Sequence, residues 1–137
     1  MVCIYCGKAT QVTNSRLQKQ SNHVWRRRQC RSCGAVFTSI EAVDYPKSFM
    51  LEMPDKNLRP FIKERLLLSI LKCCEHRKHS LEDAIALTDT AIAKVMRSGT
   101  QSVIAAHQLT KVVHDTLRNF DNVSAVQYAA LHPEYKL

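Results

Sequence analysis

The sequence predicts an α+β protein, a small metal-clamped β unit followed by a mainly α domain with a short edge strand or hairpin, and three observations predict it. Two C-x2-C pairs, Cys3/Cys6 and Cys30/Cys33, each followed by glycine, bracket the first quarter of the chain. The excess positive charge lies in the same region: residues 1–40 carry seven basic side chains and no Asp or Glu, whereas residues 41–137 carry 13 basic and 12 acidic. Beyond residue 60 apolar side chains recur at helical spacing. These features divide the 137 residues into domains 1–44 and 45–137.

No apolar run approaches the roughly 18 residues of a membrane span, and the densest, "LLLSIL", is flanked by arginine and lysine. The start, "MVCIYCGK", lacks the order of a signal peptide, so a cytosolic location with reduced thiols is expected.

Duplicated C-x2-C pairs point to one structural Zn2+. Both sulfurs of such a turn can face a single ion, and a glycine after the second sulfur permits the positive φ that a knuckle needs. Four thiolates, from Cys3, Cys6, Cys30 and Cys33, close a tetrahedron and leave no position for water or substrate. A redox C-x-x-C is the competing reading, but neither pair opens a helix after a strand. Cys73 and Cys74 are adjacent and point about 100° apart on a helix, so they are expected to fill the core.

"NHVWRRRQC" enters the second knuckle and "AVFTSIEAV" leaves it, which reads as the hairpin of a zinc ribbon. Alternation places Arg26 and Arg28 on one face with Val24, and Trp25 and Arg27 on the other. Without compensating acids, Arg16, Trp25, Arg26, Arg27, Arg28 and Arg31 form a candidate DNA-binding surface; a solvated surface is the plainer alternative.

In the second domain "SFMLEM" is a strand candidate ended by "PDKN". A helix is expected from Pro60, burying Phe61, Leu67, Ile70, Leu71 and Cys74. A second, capped by Ser80 with Asp83, buries Leu81, Ala84, Ile85, Thr88, Ile92, Val95 and Met96 and ends at Gly99. A third spans "SVIAAHQLTKVVHDTLRNFD", and a fourth, "SAVQYAAL", stops before Pro133. His76, His79, His107, His114 and His132 have no HExxH spacing and read as surface or core-edge residues. No Ser-His-Asp order, P-loop or GxGxxG is present, so no enzyme is expected.

The stretches "NSRL" and "VWRRRQCRSCGAVFTSIE" resemble the zinc ribbon of the NrdR family, bacterial transcriptional repressors of ribonucleotide reductase genes. "RPFIKERLLLSILKCCEHR", "MRSG" and "NFDNVSAVQYAAL" are similar to that family's ATP-cone. The resemblance implies a repressor whose ribbon binds double-stranded operator DNA and whose cone binds ATP or dATP as effector, changing the homo-oligomer. It also implies that "LEMPDK" replaces the family's basic strand and glycine turn, so that Lys56 stands at the glycine position. Lys56, Arg59, Lys63 and Arg65 are then the candidate nucleotide phosphate contacts, with solvated charge at a helix start as the alternative. A ribbon-bearing accessory protein of the transcription or RNA machinery, its cone serving only protein contacts, is the competing assignment.

Overall fold

A computed structural model describes residues 1–99 and 102–133, and it divides into two compact units, Met1–Val43 and Asp44–Leu137. The first is a three-stranded antiparallel meander of β1 (Thr10–Gln18), β2 (His23–Cys30) and β3 (Val36–Ala42), in that order across the sheet. Val2 and Ala9 bridge beneath the first knuckle. The register sets Arg16 opposite Trp25 and Asn14 opposite Arg27 on one side of β2, with Ile40 opposite Trp25 and Thr38 opposite Arg27 on the other. Between Val12 and Asn14 the register slips by a β-bulge. The bulge leaves Thr13 unpaired and adds local twist to this edge strand.

The second unit begins with a short helix α1 (Tyr45–Ser48), then β4 (Met50–Glu52) and β5 (Leu58–Pro60), helices α2 (Lys63–Cys73) and α3 (Ser80–Ser98), β6 (Val103–Ala105), and helices α4 (Ala106–Phe120) and α5 (Asn122–Leu131). β4 is central in its sheet, antiparallel to β5 and parallel to β6. Phe61, Ile70, Val113 and Leu117 are fully buried in a core shared by α2 to α5 and β6. Cys73 and Cys74 are buried there, as their place on an apolar helix implied. Their thiols meet the Ser69 carbonyl at 3.3 Å and the Ser124 hydroxyl at 3.7 Å. Among the described residues no helix is long and apolar enough to cross a membrane.

Several local expectations give way to pairing. Pro60 does not open a helix; it lies in β5 opposite Met50, an edge position where a missing N–H costs nothing. The helix starts only at Lys63. Val103–Ala105, expected as the first turn of the third helix, is the strand alongside β4, suiting its β-branched Val and Ile. Ser80 does not cap α3; Asp83 instead accepts from Arg77 Nε at 2.7 Å. On α3, Leu87 and Ala91 take core positions, while Leu81 and Ile85 face solvent. His114 is inside the core rather than at its edge.

Candidate metal centre and nucleic-acid interface

The four ribbon cysteines converge because two knuckles of the same form stand at one end of the meander. In each, the glycine N–H donates to the carbonyl of the first cysteine, Gly7 to Cys3 and Gly34 to Cys30, both at 3.0 Å. A second bond closes each turn, from the Cys3 N–H to the Lys8 carbonyl at 2.7 Å and from the Cys30 N–H to Ala35 at 2.9 Å. Gly7 and Gly34 have φ of +71° and +74°, with open space where a Cβ would sit. Backbone conformation, not crowding, therefore demands glycine at these two positions.

The four sulfurs lie within 4.8 Å of one another, with Cys3–Cys33 at 3.7 Å and Cys6–Cys30 at 3.5 Å. An ion held tetrahedrally by thiolates at about 2.3 Å would separate its sulfurs by about 3.8 Å. The cluster thus fits one tetrahedral metal ion. Its protonation chemistry agrees. The Cys33 backbone N–H holds the Cys30 thiol down to about 6, and the Cys6 N–H lowers Cys3 likewise. The Lys8 N–H is the largest single influence on Cys6 and favours its thiolate, but the hydrogen bond with Cys30, burial, and the Cys33 and Cys3 thiols together outweigh it and push Cys6 up to about 12. The raised Cys6 thiol keeps its proton beside the Cys30 thiolate, and a divalent cation between the sulfurs would remove the repulsion that opposes its loss.

Only Cys3, Cys30 and Phe37 are buried as a hydrophobic cluster in this unit, with Ala35 packed against them. The sheet consequently has two unlike faces. On the Phe37 side Arg26 donates to Glu41 Oε2 through Nε at 3.0 Å and Nη2 at 2.7 Å, and to the Ser15 hydroxyl at 3.1 Å. Arg28 donates to Ser39 Oγ at 2.8 Å and to Thr10 Oγ1 at 3.4 Å. These two arginines belong partly to the internal structure of the ribbon. On the other side Arg16 and Arg27 are exposed and their guanidiniums have no hydrogen-bonding or ionic partner among the described residues, and Trp25 lies half-buried between Arg16 and Ile40. Arg31 reaches this side from the second knuckle, its Nε donating to Gln11 Oε1 at 2.7 Å. Sequence alternation separates the two sets; which set is tied down depends on Glu41 and Ser39, supplied by β3. Asn14, which enters the sequence reading only as the first residue of "NSRL" and without a role at the site, stands beside Arg27 on the open side.

The four candidate phosphate contacts of the second unit are differently placed. Lys56 is in the β4–β5 turn with φ +66°, a left-handed conformation at the position where the family resemblance expects glycine. It pairs with Glu52 at 3.1 Å and lines a cavity of about 370 Å³ with Met53, Pro54, Ala105 and His107. Arg59, Lys63 and Arg65 are not among the residues lining that cavity. Arg59 and Arg65 are exposed, and Lys63 is engaged with Asp89 at 2.5 Å.

Comparison with known proteins follows the same division. The family model of the transcriptional repressor NrdR-like N-terminal domain matches residues 1–41. Over nearly the whole chain the sequence is similar to the transcriptional repressor NrdR of Symbiobacterium thermophilum, 32% identical over 99% of this chain and 89% of the relative. The NrdR of Syntrophotalea carbinolica is 31% identical over 99% and 86%, and that of Kosmotoga olearia 30% over 99% and 85%. With a metal-binding ribbon of the expected form and this identity sustained through the helical unit, the chain belongs to the NrdR family.

Proposed function

We propose that this protein is a zinc-dependent DNA-binding transcriptional repressor of ribonucleotide reductase genes, acting in the cytosol as a homo-oligomer under control of ATP or dATP. Zn2+ is the ion assigned to Cys3, Cys6, Cys30 and Cys33, since four thiolates in a closed tetrahedron suit a structural zinc site. Residues 1–44 serve as the DNA-binding domain and residues 45–137 as the nucleotide-sensing and oligomerisation domain. The observation that carries the reading is the open face of the ribbon, where Arg16, Trp25 and Arg27 stand with Arg31 and no carboxylate lies opposite them in the register. Arg26 and Arg28 add charge from the opposite face. The NrdR relatives are named as repressors, which supports a regulator and not an enzyme.

Nucleotide control rests on family membership and on the cavity beside Lys56, with Arg59 and Arg65 exposed on β5 and α2 and Lys63 available only on release from Asp89. For such control to operate, the effector must bind one assembly better than another.

Gel retardation of duplex DNA across a salt series tests the first part. With four phosphates neutralised, log K falls against log salt at a slope of about −3.6, and Arg16→Ala makes it shallower by about 0.9. Absence of duplex binding at low salt, or preferential binding to RNA or polymerase, would select the accessory-protein reading. Calorimetric titration of ATP and dATP, with mass measurement of the assemblies, tests the second part; no binding at millimolar nucleotide would remove the effector role.

A further inference from the structure

The open face of the ribbon is a graded surface. Along β2 the side chains facing it are Trp25, Arg27 and Gln29, and Arg31 follows just beyond the strand. The cationic groups at its two ends have tall or engaged surroundings: Arg16 stands opposite Trp25, and Arg31 is held by Gln11. The row between them is unlike either. Arg27 is flanked by Asn14 on β1 and Thr38 on β3, both short, uncharged and exposed. Nothing beside Arg27 is acidic enough to neutralise it or bulky enough to hold it back from a groove floor.

The backbone at this row is also fixed. Thr13, the residue inserted at the β-bulge, donates from its hydroxyl to the Arg27 carbonyl at 3.3 Å, tying the bulge to β2. A bulge re-aims the side chains beside it, and Asn14 is the first residue past the slip. Directly opposed residues of a sheet have Cβ atoms about 5 Å apart, within reach of two successive base pairs. A guanidinium presents paired donors, which match guanine N7 and O6, while a carboxamide presents one donor and one acceptor, which match adenine N7 and N6.

We propose that the Asn14–Arg27 cross-strand pair is the base-reading element of this sheet, Arg27 taking a guanine and Asn14 an adjacent adenine in the major groove, while Arg16 and Arg31 hold phosphates on either side. The assignment rests on the DNA-binding reading above and adds which residues confer sequence preference. A two-stranded β-ribbon such as the β1–β2 pair, which carries both residues, fits a major groove about 12 Å wide.

The test uses the full-length metal-loaded protein and duplexes enriched by it from a random library. Each guanine and adenine of an enriched duplex is replaced in turn by its 7-deaza analogue, which lacks the N7 acceptor. One guanine and one neighbouring adenine should each weaken wild-type binding by about tenfold. Arg27→Ala should abolish the penalty at that guanine alone, and Asn14→Ala the penalty at that adenine alone. Retention of one metal ion per chain reports that the variants are folded; if alanine disturbs it, Arg27→Met and Asn14→Val, which keep bulk on the strand and have no donor for N7, carry the same comparison. Penalties that persist undiminished in the variants, or variants that weaken every duplex equally, would overturn the assignment while leaving DNA binding intact. Failure of the wild type to enrich any duplex would instead overturn the DNA-binding reading, and this inference with it.

Discussion

The two units reach an ordered state by opposite means. Among the described residues the helical unit encloses sixteen buried apolar side chains, most of them from four helices, whereas the ribbon encloses three, two of them cysteines. A β unit of about 40 residues with that little core lies below the size at which burial alone sustains a fold. What replaces the core is coordination: four thiolates around one ion contribute on the order of 10 kcal/mol, more than a small domain's whole net stability. The exchange frees the surface. Because the ribbon need not bury its strands, Arg16, Trp25 and Arg27 can occupy a face that an ordinary sheet would devote to valine and leucine.

The sharpest way to break the comparison is to remove its two supports separately. Chelation, or Cys30→Ser, should unfold residues 1–43 and collapse the dispersion of their amide signals, while helical circular dichroism is retained. Leu117→Ala should do the reverse. Leu117 is fully buried, so the helical unit loses about 2–5 kcal/mol and melts earlier with the metal still bound. Concerted loss of both units in either experiment would show that they are not independent in stability.

A smaller effect is expected where α4 meets α5. Asp121 caps α5 by accepting from the Ser124 N–H at 3.0 Å and from the Ser124 hydroxyl at 2.7 Å, and it faces His76 Nε2 at 2.8 Å. The Ser124 hydroxyl above all, then the Ser124 N–H and His76, lower its carboxyl from 3.8 to about 2. The folded value lies below the unfolded one. The stabilisation is therefore present above about pH 4 and is lost as pH falls toward 2. Asp121→Ala should cost about 1 kcal/mol at neutral pH, whereas Asp121→Asn should keep most of the cap and flatten the acid limb of stability against pH. An unchanged acid limb in the asparagine variant would count against the carboxylate as its source.

The smallest expected effect is a gain. Lys56 adopts a left-handed φ of +66°, which costs a side-chain-bearing residue about 1 kcal/mol; its exposed pair with Glu52 returns little. After the greater unfolded-state freedom of glycine is deducted, Lys56→Gly should stabilise the helical unit by about 0.5 kcal/mol. Thermal melting resolves the sign, and destabilisation would mean that the Glu52 contact outweighs the backbone conformation.

What was legible in the sequence follows the range of the forces involved. The metal cluster could be read because two C-x2-C-G units specify their own turns, and each glycine indeed has positive φ. The burial of Ile70, Val95 and Leu117 follows from spacing along a single helix. Strands β5 and β6 have three residues each, too few to show a period, and they exist because β4 lies between them. Pro60 and Val103–Ala105 accordingly read, from sequence alone, as the starts of helices. The division of the arginines needed partners from the neighbouring strands, since Glu41 and Ser39 on β3, with Ser15 and Thr10 on β1, distinguish Arg26 and Arg28 from Arg27. Asn14 is legible only as part of "NSRL", and it acquires a role of its own once the register places it opposite Arg27.

The parallel pairing of Met50 with Val103 has a consequence for how the molecule is made. The ribbon's strands are neighbours in the chain, so a polypeptide leaving the ribosome can close its knuckles and capture metal once residue 43 has emerged. The middle strand of the second sheet must wait with one edge bare until two helices and some fifty further residues have been synthesised. For that interval a metal-loaded amino-terminal head is tethered to an incomplete, aggregation-exposed tail, and translational pausing before residue 103 would lengthen the exposure.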